Sequence, residues 1–160
     1  MQETRIRIRW RDMDAYGHVN NGVYLTYLEE CRDTWAQELL GPAEGSWDFV
    51  LAHVGIDYRN QLTQADGEVL VRCRLASFGR SSVRTHEEIR KADGTIAAEA
   101  EAVVVPRDPD ADRSRPLSER ERELLKAELD RARRNARSQG RGGRDDRGRS
   151  GPGTNRRRPT

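Results

Sequence analysis

Asp12-Met-Asp-Ala-Tyr-Gly-His-Val-Asn-Asn-Gly-Val-Tyr-Leu-Thr-Tyr-Leu-Glu-Glu30 is the stretch from which the fold can be read. Carboxylates, a glycine, a histidine and two asparagines crowd into residues 12–21. Behind them Tyr24, Tyr27, Leu28, Cys31, Trp35 and Leu39 recur at helical spacing, with Glu29, Glu30, Arg32 and Asp33 among the polar positions. Asn20 or Asn21 suits the N-cap, and Gly41-Pro42 supplies the stop. The pattern predicts a helix of about 20 residues, ~30 Å long, enough to run the length of a sheet. Ahead of the turn, Arg5 to Arg11 alternates strictly, with Ile6, Ile8 and Trp10 on one side and arginines on the other. That period of two predicts a half-buried strand ending at Asp12, its arginines solvated.

Four more strand-like runs follow the helix. Val50, Ala52, Val54, Ile56 and Tyr58 alternate in the first, and Val69, Val71, Cys73 and Leu75 in the second, after a turn at Asp66-Gly67. Gly79-Arg-Ser-Ser82 turns the chain into the third, whose apolar members are Val83 and Ile89. Asp93-Gly94 is a hairpin signal leading to Ile96, Ala98, Ala100, Ala102 and Val104, a row of small residues that would let a helix seat closely. The layout is α+β: one long helix on a five-stranded antiparallel sheet, strands joined mostly by hairpins, closed by Pro106. One helix cannot protect every edge of five strands, so a homodimer or homotetramer is expected.

The net charge of +2 averages two unlike parts. Residues 1–106 mix apolar and charged residues as a folded domain does. Residues 107–135 read as a linker with a short charged helix opened by a capping box, Ser118 with Glu121, offering only Leu124, Leu125 and Leu129 for burial. Residues 136–160 are Arg/Gly-rich and cannot bury enough to offset chain entropy, so a disordered basic tail is expected. Such a tail either binds RNA or acidic surfaces weakly through its charge or only keeps the domain soluble. Cys31 and Cys73 are the only cysteines, and both fall on apolar stripes, as buried thiols of a reducing compartment do. No apolar run approaches the ~18 residues of a membrane span, and no signal region opens the chain. A soluble cytoplasmic protein without membrane contact is expected.

The turn itself suggests chemistry. Asp14 lies just ahead of a helix whose first N–H groups, at Asn21, Gly22 and Val23, lack helical partners. A carbonyl aimed at them would be polarised by these donors and by the positive helix end. Asp14 could attack that carbonyl or activate water against it, and Gly22 would admit a ligand close to the backbone. The same residues also fit a plain fold: Asp12 or Asp14 settling a helix start, His18 holding the turn, and Tyr24 and Tyr27 packed in the core. His18, His53 and His86 are scattered, without zinc-type spacing to the cysteines, and no metal or organic cofactor is implied.

The motif Asp-x-Asp-x-x-Gly-His-Val-Asn-Asn-x-x-Tyr-x-x-Tyr at residues 12–27 resembles the signature of hotdog-fold acyl-CoA thioesterases of the 4-hydroxybenzoyl-CoA thioesterase type. The resemblance spans about residues 4–106. It implies a hotdog domain that hydrolyses acyl-CoA, with Asp14 as the catalytic carboxylate, the backbone N–H at Asn21 and neighbouring Gly22 as oxyanion donors, and Gly17 as the turn glycine. The His-Val-Asn-Asn form is also similar to that of acyl-carrier-protein thioesterases, which would make His18 catalytic; Ala15 and Tyr16 stand where those enzymes place an asparagine. Tyr24 and Tyr27 would flank the acyl group at a subunit interface. Arg80, Ser81 and Ser82 match the loop that in relatives lies near the CoA phosphates, and a guanidinium suits phosphate. Gln61 replaces a proline usual in the family. An acyl-carrier-protein thioesterase and a non-catalytic acyl-CoA-binding scaffold are the alternatives.

Overall fold

The computed structural model describes residues 1–41, 49–108 and 110–141. Strand β1 (Gln2–Arg7) leads through a single 3-10 turn at Trp10–Asp12 into helix α1 (Asn21–Leu40). Then come β2 (Phe49–Tyr58), β3 (Glu68–Phe78), β4 (Val83–Lys91), β5 (Ile96–Asp108), the two-residue β6 (Arg113–Ser114) and helix α2 (Glu119–Arg141). The sheet is antiparallel in the order β1-β3-β4-β5-β2, with β6 on the end of β5.

Helix α1 matches its expected length. The Asn20 side chain caps it by accepting from the Gly22 N–H at 2.8 Å, and Gly41 ends it at φ +68° with its N–H on the Gln37 carbonyl. The stripe Tyr24, Tyr27, Leu28, Cys31 and Trp35 is buried against Ile6, Val69, Val71, Cys73 and Ile89. Both cysteines are free and buried, and burial is the main reason each thiol is harder to ionise than usual.

Three expectations are corrected. Trp10 does not join Ile6 and Ile8 in the core but is 79% exposed, because β1 ends at Arg7 and the Asp12 carboxylate folds the chain back onto the Arg9 N–H at 2.8 Å. Strand β2 forms no hairpin with β3; it crosses to the far side of β5 and becomes an edge, leaving Val50, Leu51 and Tyr58 exposed. The alanines of β5 are buried, yet α1 packs chiefly over β1, β3 and β4.

Beyond Pro106 the chain stays with the domain. Strand β5 continues to Asp108, and Leu117 and Leu125 enter the core. The Ser118–Glu121 capping box forms as expected, with Ser118 N donating to Glu121 at 2.7 Å and Glu121 N to Ser118 Oγ at 3.2 Å. Helix α2 runs to Arg141, past the end of the 107–135 segment expected to hold it, and docks on β3 and α1. Residues 142–160, most of the expected tail, lie outside the described residues. No helix among the described residues is long and apolar enough to cross a membrane.

Candidate active site

The loop between the 3-10 turn and α1 is built by hydrogen bonds to two aspartates that do different work. Asp12 is buried. It accepts from the Tyr27 hydroxyl at 2.7 Å and from the Arg9 N–H and guanidinium, while its own carbonyl takes the Asn20 N–H at 2.8 Å. Burial pushes the Asp12 carboxyl up, but these donors outweigh it and leave the group below the usual carboxylate range. The same contact, added to burial, drives the Tyr27 phenol far above its ordinary value. Asp12 is therefore a pin between the strand end and the middle of α1's first turns.

Asp14 stands at the loop mouth. Its Oδ1 accepts from the N–H groups of Tyr16 at 2.9 Å and His18 at 3.2 Å, and its own N–H donates to the His18 carbonyl at 2.7 Å. Gly17 closes the loop with φ +78°, a conformation that strains any residue with a Cβ, and donates to the Asp14 carbonyl. Asp14 Oδ2 has no partner among the described residues. Asp14 lines an open groove of about 560 Å³ together with Trp10, Arg11, Met13, Ala15, Gly17 and Gln64. Trp10 and Tyr16, at 79% and 85% exposure, stand out as bare aromatics on this loop.

Gly22 is not an open donor. Its N–H is held by Asn20 Oδ1, and the Val23 N–H donates to the Asn20 carbonyl at 2.8 Å. A Cβ at residue 22 would stand 3.2 Å from Asn20 Oδ1, so glycine here makes room for the cap. The Asn21 N–H is left as the donor of the first turn without a partner among the described residues. Tyr58, from β2, donates to the Asn21 carbonyl at 2.9 Å and ties the following peptide to the sheet. His18 serves the loop through its backbone, and its imidazole has no bonding partner among the described residues.

Tyr24 and Tyr27, expected to flank a substrate, are core residues. The Tyr24 hydroxyl receives the Leu62 N–H at 2.9 Å, and its ring meets Tyr58 edge-on at 5.1 Å between centroids. The Tyr27 hydroxyl is taken by Asp12. Arg80, Ser81 and Ser82 do form a hairpin turn, with Gly79 N on the Ser82 carbonyl at 2.9 Å, and Arg80 is exposed. That turn lies at the opposite end of β3 from the residue 12–21 loop, roughly 35 Å away at ~3.3 Å per residue. One chain does not bring the two groups together.

Sequence reasoning missed the charge inside the domain. Arg32 is 6% exposed and holds both oxygens of buried Glu87 at 3.0 Å, with the Thr85 hydroxyl adding a 2.7 Å bond. Both charges sit on faces that are otherwise apolar, and their alignment across helix and strand has no local signature. Beside Arg32 a second cavity of about 270 Å³ is walled by Trp35, Leu40, Phe49, Val104 and Leu125.

Residues 8–128 match the model of the thioesterase-like superfamily. The chain is 28% identical over 104 residues to the long-chain acyl-CoA thioesterase FadM of Escherichia coli K12, covering 61% of this chain and 76% of that one. Among solved structures it is similar to a Thermus thermophilus thioesterase complexed with coenzyme A and Zn, with TM-score 0.70 and 33% identity over 78% of this chain and 96% of that one. A predicted thioesterase from Bacillus stearothermophilus gives TM-score 0.71 and 27% identity, covering 79% and 95%.

Proposed function

This chain belongs to the thioesterase-like superfamily, and from that premise we propose how it works as a thioester hydrolase: it cleaves acyl-CoA to free acid and CoA, using Asp14. The observation that carries this reading is the division of labour within one carboxylate. Asp14 Oδ1 is fixed by two backbone N–H groups, Oδ2 has no partner among the described residues, and the residue lines a groove. An acid held in this way needs little reorganisation to act.

Two routes fit it. In the first, Asp14 Oδ2 attacks the thioester carbonyl carbon, the C–S bond breaks, CoA leaves as thiolate, and water then hydrolyses the mixed anhydride. In the second, Oδ2 takes a proton from a water that attacks the same carbon. Either way the carbonyl oxygen becomes negative, and the Asn21 N–H at the positive end of α1 is the donor for it. His18 positions Asp14 through its backbone N–H.

The CoA end of the site requires a second copy. Arg80, Ser81 and Ser82 lie at the Phe49 end of the sheet, Asp14 and Asn21 at the Tyr58 end. If the exposed β2 edges of two chains pair antiparallel about a two-fold axis, the Phe49 end of one abuts the Tyr58 end of the other. The partner's phosphate-binding turn then shares an end with this chain's Asp14. Exposed Val50 and Leu51 suit such a seam.

The test is thiol release from a panel of acyl- and aroyl-CoA esters by wild type and Asp14→Asn. We expect turnover in the wild type and a loss of ~10²-fold or more in the variant. Turnover that survives in the variant removes Asp14 from the chemistry. Hydrolysis of acyl-carrier-protein thioesters alone would change the substrate class and keep the mechanism.

A further inference from the structure

Three metal-ligating side chains converge on the sheet face turned away from α1. His86 and Glu88 lie two residues apart on β4, and the residue paired with Glu88 across the β4–β5 hairpin is Glu99. One donor atom from each lies within 4.8 Å of the others. Chain spacing hides this trio, because residues 88 and 99 meet only through strand register. It also lies outside the loop assigned to thioester chemistry.

Two details mark the cluster as more than a solvated acidic patch. The His86 Nδ1 is closed off from solvent and has no hydrogen-bond partner among the described residues, although a desolvated imidazole nitrogen ordinarily finds one. The two carboxylates are held from outside. Arg90 grips Glu88 Oε2 at 2.7 Å, and Arg59 grips Glu99 Oε2 at 3.1 Å, leaving Oε1 of each without a protein partner among the described residues. Arginines behind the ligands are what outer-shell support of a metal site provides: they orient a carboxylate and leave one oxygen available. Asp57 stands directly opposite Glu99 on β2, so three carboxylates form one row across three strands. Arg59 bridges Asp57, at 3.1 Å, and Glu99, so the row is already partly neutralised on its outer side.

We infer that His86, Glu88 and Glu99 bind one divalent transition-metal ion, zinc in the first instance, bridging β4 and β5. An N,O,O donor set suits zinc, with water completing a four-coordinate shell. Ligand atoms on one zinc stand about 3.4 Å apart, given Zn–N and Zn–O bonds of ~2.0–2.2 Å. The three donor atoms lie within 4.8 Å of one another and would have to draw together on binding.

The experiment is calorimetric titration of the metal-free full chain with zinc chloride, alongside thermal melting with and without zinc. We expect one ion per chain, a zinc-dependent rise in melting midpoint, and affinity lowered ~10-fold or more by His86→Gln and by Glu99→Gln. Both variants replace partly exposed side chains by shapes of similar size, and their zinc-free midpoints should stay near that of the wild type. Magnesium chloride should give neither heat nor shift. The inference is overturned if zinc produces no saturable heat, or if it binds both variants as it binds the wild type, in which case the ion sits elsewhere and is adventitious.

Discussion

Replacing Tyr27 by phenylalanine tests whether Asp12 pins the residue 12–21 loop. The change removes one oxygen and leaves the ring in place, so the 2.7 Å bond to Asp12 Oδ2 is lost with little change in packing. A hydrogen bond to a charged group in a buried site is worth about 1.5–3 kcal/mol, and Oδ2 keeps its bonds from the Arg9 N–H and guanidinium, so the loss is confined to the one bond. At ~2–4 °C per kcal/mol for a chain of this size, the melting midpoint should fall by roughly 3–12 °C at fixed protein concentration. The pH dependence gives a sharper check. Burial raises the Asp12 pKa, but Tyr27 and Arg9 depress it further than that, so the net folded value lies below the unfolded value of ~3.9. A depressed carboxylate contributes stability that is present above its unfolded pKa and is lost as pH falls through its folded pKa. Without Tyr27 the depression is smaller, so the gap between wild type and variant should hold from pH 7 to about 4.5. It should then shrink below ~4, toward the ~1 kcal/mol of a neutral hydrogen bond. Urea titrations across that range measure it. A gap as large at pH 3 as at pH 7, or no loss at neutral pH, would refute the account of Asp12 as an ionised pin.

Arg32→Met should destabilise the chain by about 3–5 kcal/mol, because it strands a buried carboxylate at Glu87, whereas adding Glu87→Leu should restore much of the loss; urea denaturation of the singles and the double variant measures the coupling. Asn20→Ala removes the cap bond to Gly22 and should cost about 1 kcal/mol by thermal melting. Since that change also frees the Gly22 N–H beside Asn21, its effect on kcat should stay well below the ~10²-fold expected of Asp14→Asn.

Helix α1 was legible at both ends because its signals are local: Asn20 caps it, Gly41 stops it, and the apolar stripe between them follows from its period. The hairpins at Gly79–Ser82 and Asp93-Gly94 were legible for the same reason. Trp10 was misread because alternation continues in the sequence after the strand has ended, and the carboxylate that ends it lies two residues further on. The β2–β5 pairing, the Arg32–Glu87 pair and the His86–Glu88–Glu99 trio depend on which distant segments meet, and no short stretch records that. At the loop, the placing of Asp14 ahead of the helix and of Asn21 at its start was legible from sequence. That Asn20 withdraws Gly22 from the set of free donors required the actual cap geometry.

Asp14's two oxygens have a consequence for which amino acids position 14 can accept. The residue is a brick of its own loop as well as the reactive group we propose, so on that reading natural variation there is fenced on two sides. Glutamate keeps the charge, but an extra methylene carries its carboxylate past the Tyr16 and His18 amides that seat Oδ1. Serine and asparagine can still accept those amides and leave the loop standing, but they surrender the free anionic oxygen. A lineage that abandons the chemistry can therefore keep the architecture unchanged by a single-atom exchange at this position. If Asp14 acts as proposed, an asparagine at position 14 among relatives of this chain would mark descendants that still bind but no longer cut.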